Sequence, residues 1–134
     1  MAARPARTIW RDFGALPGGF GFCPTQTAWD LTIRRFGIKQ AEYPQGPTAL
    51  TTLFRHKSTR EMAVVVTMGE PMDRRPANSV VGLLTHEATH VWQYLLEDIG
   101  EVQPSREFEA YTLQRITMGL LAGYNSTRRK ILRG

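Results

Sequence analysis

Residues 78–100 read NSVVGLLTHEATHVWQYLLEDIG, and this stretch decides the reading of the chain. Val80, Leu83, Leu84, Val91, Leu95 and Leu96 recur at three- and four-residue intervals, the period of one helical face. The pattern predicts a long amphipathic helix from about Asn78 or Ser79 to Asp98, closed by Gly100, a residue suited to a left-handed C-terminal position.

Inside this helix stands His86-Glu87-Ala88-Thr89-His90. Side chains at i and i+4 share a helical face, so both imidazoles can point at one ion. Glu87 follows at about 100° around the helix. Its carboxylate stands beside such an ion, where it can take a proton from metal-bound water. A catalytic zinc site needs a third protein ligand and one open position. The extended motif with a third histidine is excluded, because Gln93 and Leu96 occupy the relevant places. Cys23 lies far upstream, and Glu97, Asp98 and Glu101 sit too near the helix end to fold back. Glu109 is separated from His90 by 18 residues, enough for two helical turns, a reversing loop and the first turn of a returning helix. It is the preferred third ligand, with Glu107 as the backup.

The returning helix is predicted from about Ser105, its cap after Pro104, to Leu121, with Glu107 and Glu109 near its positive end. Upstream, Thr48–Arg55 and Glu61–Met68 read as an antiparallel hairpin around His56-Lys57-Ser58-Thr59-Arg60, and Met62–Val66 is the strongest strand signal in the chain. A first helix is expected from Thr25, its cap, to Phe36, ended by Gly37-Ile38. Pro44, Gly46 and Pro47 mark a turn, and Gly69–Pro76 a loop. Four glycines and two prolines between Gly14 and Pro24 predict an irregular segment over residues 1–24, packed on the domain by Trp10, Phe13, Phe20 and Phe22.

The 134 residues fit one domain, with its core at about residues 25–121. An apolar fraction of 42% and a charged fraction of 22% are those of an ordinary globular protein. No apolar run approaches the roughly 20 residues of a membrane span, and no secretory stretch opens the chain, so a cytoplasmic location is expected. The single cysteine excludes an internal disulfide and a cysteine-based zinc site. Four of the net +5 charges fall at Arg128, Arg129, Lys130 and Arg133, so residues 125–134 read as a basic tail on a near-neutral domain.

With His86, Glu87, His90 and Glu109 in this spacing, the chain resembles the gluzincin branch of zinc metallopeptidases in its minimal, minigluzincin-like form. THEATHVWQ followed by EFEAY also looks like small bacterial and phage-borne peptidase domains. The resemblance covers about residues 60–121. It implies a small α+β, zincin-like domain, with a β-hairpin packed on an active-site helix and a second ligand helix. It implies Zn2+ on His86, His90 and Glu109, with Glu87 as general base and acid. It also implies that Met62–Val66 is the sheet edge holding an extended peptide substrate. Two positions depart from the family pattern: Phe108 stands where an asparagine precedes the glutamate ligand, and Leu113 where an aspartate supports a histidine. The supporting partners must come from elsewhere, with Asn78, Gln93 and Gln114 as candidates. Tyr111, Tyr124 and His56 are the candidates for stabilising an oxyanion.

The reading that follows is zinc-dependent peptide hydrolysis. The alternative is a catalytically inactive zincin-like protein, structural or interacting, such as a phage or mobile-element accessory protein. Contact with nucleic acid through the basic tail is a third, weaker reading. Trp29, Trp92 and Phe108 read as packing residues, and Cys23 as a small buried one.

Overall fold

A computed structural model describes residues 7–39, 41–43, 49–69 and 75–133. The elements are β1 (Ile9–Phe13), β2 (Leu16–Cys23), α1 (Gln26–Arg35), β3 (Ala49–Arg55), β4 (Met62–Met68), α2 (Ala77–Ile99) and α3 (Arg106–Arg133). The fold is α+β: a four-stranded mixed sheet in the order β1-β2-β4-β3, with β2 and β4 parallel and the outer pairings antiparallel. No helix among the described residues is long and apolar enough to cross a membrane.

Local signals set the helix ends. The Thr25 hydroxyl accepts from Ala28 N at 3.1 Å, and Ile38 N reaches back to Ile33 O past Gly37 at φ 72. Gly100 closes α2 at φ 71, with Glu101 N on Leu96 O at 3.0 Å. Ser105 accepts from Phe108 N at 3.2 Å at the start of α3. Each bond satisfies a backbone group that the helix itself leaves open.

The sheet has two covered faces. Phe20, Phe22, Val64 and Val66 pack with Leu84, Val91, Leu95, Ile116 and Leu120 of α2 and α3. Cys23, Ala63 and Val65 pack with Ala28 and Trp29 of α1 and with Phe54. All seven residues of β4 are therefore buried. This corrects the expectation that Met62–Val66 is the sheet edge. An unbroken apolar run is the mark of a strand covered on both faces; the edge beside α2 is β3, whose sequence ALTTLFR mixes apolar and polar residues.

The N-terminal segment is also not irregular, since it supplies two strands. Gly19 and Gly21 alternate with Phe20 and Phe22, a period-2 pattern. A Cβ at Gly21 would stand 2.8 Å from the Trp10 ring, and one at Gly18, where φ is +84, would stand 2.8 Å from the Met62 carbonyl oxygen. Glycine is what lets β2 lie under Trp10 and against β4. On the other face Phe20 and Phe22 meet glycines of α3: a Cβ at Gly119 would lie 2.7 Å from Phe20, and one at Gly123 would lie 2.8 Å from Phe22.

The expected tail is helical too. α3 does not stop at Leu121, because Tyr124 and Thr127 are buried beyond it, Tyr124 edge-on to Phe22. The turn expected at Pro44–Pro47, most of the loop 69–76, and the side chains of Arg129, Lys130 and Arg133 lie outside the described residues.

Candidate metal centre

α2 runs along β3, tied to it at two points. The Thr51 hydroxyl donates to Glu87 Oε2 at 2.8 Å, and Arg55 donates to Asp98 at 2.8 Å, an ion pair. Both strand residues sit on the same face as Leu53, as alternation along a strand requires. At the first of these ties the helix carries His86, Glu87 and His90 beside the sheet edge.

The two Nε2 atoms of His86 and His90 stand 3.2 Å apart. Two nitrogens bound to one tetrahedral zinc at about 2.0–2.1 Å would be about 3.3–3.4 Å apart, so the pair fits a shared ion with little movement. His90 Nδ1 lies 3.0 Å from Gln93 Oε1. An amide oxygen only accepts, so this contact is made by a protonated Nδ1, and in the neutral ring Nε2 then presents its lone pair. That is the tautomer a metal needs, and the partner that sets it is one turn along the same helix.

Glu87 is 5% exposed, and among the described residues Thr51 is the side chain that donates to its carboxylate. A desolvated carboxylate with a single hydroxyl partner is under-compensated, and a cation at the neighbouring histidines would relieve this. One ligand atom from each of His86, Glu87 and His90 lies within 4.8 Å of the others, so the three could hold a metal ion. Imidazole and carboxylate donors of this kind suit several divalent ions.

Glu109 is not in this group. Its Oε2 accepts from the indole Nε1 of Trp92 at 3.3 Å, and Trp92 is itself buried edge-on to Phe108. The helix pair thus brings Glu109 against α2 two residues past His90, facing the site helix but held by a tryptophan. Glu107 is exposed.

Among the supporting candidates, Gln93 is at the site; the Gln114 amide lies at Met118 instead, 3.9 Å from its sulfur, and Asn78 is exposed near the start of α2. The three oxyanion candidates are elsewhere. Tyr111 is 67% exposed on α3, Tyr124 is buried against Phe22, and His56 Nδ1 accepts from Ser58 N and Thr59 N in the β3–β4 connection. Cys23 is buried, its Sγ 3.6 Å from Thr25 O, and burial pushes its thiol up to about 11. Sequence reasoning missed Thr51. The alternation of ALTTLFR, with Leu53 inward, would have placed it on the helix-facing side.

A cavity of about 1150 Å³ elsewhere in the molecule includes none of His86, Glu87 and His90. No protein-family model, curated protein or solved structure matches the chain.

Proposed function

We propose that this chain is a zinc-dependent peptidase of gluzincin type acting on extended peptides. The observation that carries the reading is the paired Nε2 atoms of His86 and His90, 3.2 Å apart, beside a buried Glu87 carboxylate anchored to the sheet edge by Thr51. Zinc, when bound, supplies Lewis acidity toward a peptide carbonyl and toward water. Glu87 accepts the proton of the attacking water and returns it to the leaving amine. Thr51 keeps one carboxylate oxygen occupied and leaves the other for that proton. The edge strand β3 lies alongside and pairs with a substrate backbone in extended form. Glu109 would join His86 and His90 in holding the metal by giving up the Trp92 N–H, and the motif spacing supports this role.

One observation favours a second reading. Glu109 is engaged by Trp92, and Glu87 itself stands within ligand range of both histidines. In that case Glu87 is a ligand and the ion stabilises the fold without catalysis. Glu87→Gln separates the two. Under the peptidase reading the purified variant keeps its zinc and loses cleavage of fluorescently quenched casein. Zinc lost along with the carboxylate favours the structural reading, and full cleavage by the variant overturns the catalytic one.

A further inference from the structure

The end of α1 and the turn joining β3 to β4 meet on the side of the sheet away from α2 and α3. Lys57 N donates to Phe36 O at 3.3 Å. The aliphatic stem of Lys57 lies over Gly37, its Cβ 3.1 Å from where a Cβ on that glycine would stand. The His56 ring is edge-on to Phe36, with centroids 5.7 Å apart, and Arg60 N closes the turn on His56 O at 2.9 Å. These contacts join two cationic stretches: Arg34, Arg35 and Lys39 from the helix end, and Lys57 and Arg60 from the turn. All five residues are exposed.

The charge here is concentrated and unpaired. Residues 34–60 hold six Lys or Arg and one acid, Glu42, whereas the other residues up to 127 hold seven and eleven. None of the five cations is in an ion pair; among the described residues the pairs are Arg55–Asp98 and Arg115–Asp12. Asp98 lies with Arg55 on the α2 side of the sheet. Asp30, on α1, accepts from Gln26 at 2.9 Å. Glu61, beside the turn, is exposed and pairs with no cation.

Two of the cations are placed in ways that helix and turn formation leave unexplained. The guanidinium of Arg35 lies over Trp10 at 5.6 Å and over Phe36 at 5.8 Å from the ring centroids, which fixes its plane and leaves its N–H groups to solvent. Arg60 stands at φ 64, the one non-glycine residue at positive φ among the described residues. Glycine takes that conformation at less cost, so the turn itself gives no reason for an arginine. The helix dipole favours cations in the last turn of α1, but it does not reach those of the β3–β4 turn.

We propose that this surface binds the phosphodiester backbone of a nucleic-acid duplex without reading its sequence. Exposed, unpaired Lys and Arg side chains on one face are the electrostatic footprint of such binding. A single strand would need aromatic faces for its bases, and here Phe36 is buried and Trp10 carries Arg35. A membrane surface would take apolar side chains for insertion, and His56-Lys57-Ser58-Thr59-Arg60 offers none. The surface is separate from the basic tail and from the histidine pair, and the proposal does not rest on the peptidase reading.

The test is fluorescence anisotropy of a short labelled DNA duplex with the intact chain at low salt. Two duplexes of unrelated sequence bind equally, with and without EDTA, and the logarithm of affinity falls with that of salt at a slope of about −4, as five phosphate contacts require. Arg34→Gln, Lys57→Gln and Arg60→Gly together weaken binding by about tenfold or more and make the slope shallower by about 1 per cation removed. Arg60→Gly alone does not lower the urea midpoint, because glycine accepts a positive φ, yet it weakens binding. Arg129→Gln with Lys130→Gln, in the tail, leaves most of the affinity. Binding that the tail variant abolishes, or that the triple variant does not alter, overturns the assignment. So does tighter binding to phosphatidylserine vesicles or to the single strand than to the duplex, or no binding to the duplex at low salt.

Discussion

Thr51 and Glu87 are 36 residues apart in sequence and 2.8 Å apart in space, the hydroxyl of an edge strand donating to the one buried carboxylate of the helix beside it. The contact places the proposed base at a fixed point relative to the strand that would hold substrate. Thr51→Val keeps the shape and removes the donor, which leaves Glu87 buried without it. Stability falls by about 1–3 kcal/mol, and peptidase turnover falls with it. Thr51→Ser restores both. Urea denaturation and casein cleavage on the three proteins check this.

Gln93 would act on a bound metal through His90, whose Nδ1 lies 3.0 Å from its Oε1. Gln93→Ala frees the ring to rotate and to change tautomer, so zinc affinity falls by about 10–100-fold, measured by competition with a chromogenic chelator. The fold is unaffected, because Gln93 is exposed.

Glu109 has two partners to choose from. If it becomes a ligand on zinc binding, Trp92 loses its hydrogen bond, and the tryptophan emission of the protein changes as zinc is added. Glu109→Gln abolishes that change and weakens zinc binding. Unchanged affinity in the variant would remove Glu109 from the ligand set.

Two glycines of α3 are required by packing and not by helix formation. Gly119→Ala and Gly123→Ala each push a methyl against Phe20 or Phe22. Alanine is otherwise the better helix former. Here each lowers stability by about 1–3 kcal/mol through overpacking, read as a shift in the urea midpoint.

Cys23 gives a pH signature. Its thiol is raised from 9.0 to about 11 by burial, so above pH 9 the unfolded chain gives up this proton first. The folded state then holds more protons, and stability declines between about pH 9 and pH 11. Cys23→Ala removes that contribution to the slope. At pH 8 iodoacetamide labels the native protein far more slowly than the urea-unfolded one.

Much of the fold was readable because local rules and tertiary packing agree. The caps at Thr25 and Ser105 and the stops at Gly37 and Gly100 are residue-specific signals, and the helices start or end there. The N-terminal strands were hidden because the glycines and prolines of residues 14–24 read as turn formers and masked the alternation of Gly19 and Gly21 with Phe20 and Phe22. Their role depends on Trp10 and α3, which are distant in sequence. β4 was found but its position was not, since an apolar run shows burial and does not say which neighbour covers it. At the site, His86, Glu87 and His90 followed from helical spacing alone. Thr51 comes from another element, and the Trp92–Glu109 bond depends on how two helices cross.

The most direct test of the metal centre is zinc content of the purified protein by elemental analysis, with His86→Ala alongside. The account predicts about one zinc per chain, lost in the variant. A protein that takes up no zinc at neutral pH when the ion is offered, or a variant that retains it, would contradict the assignment of His86 and His90 as ligands.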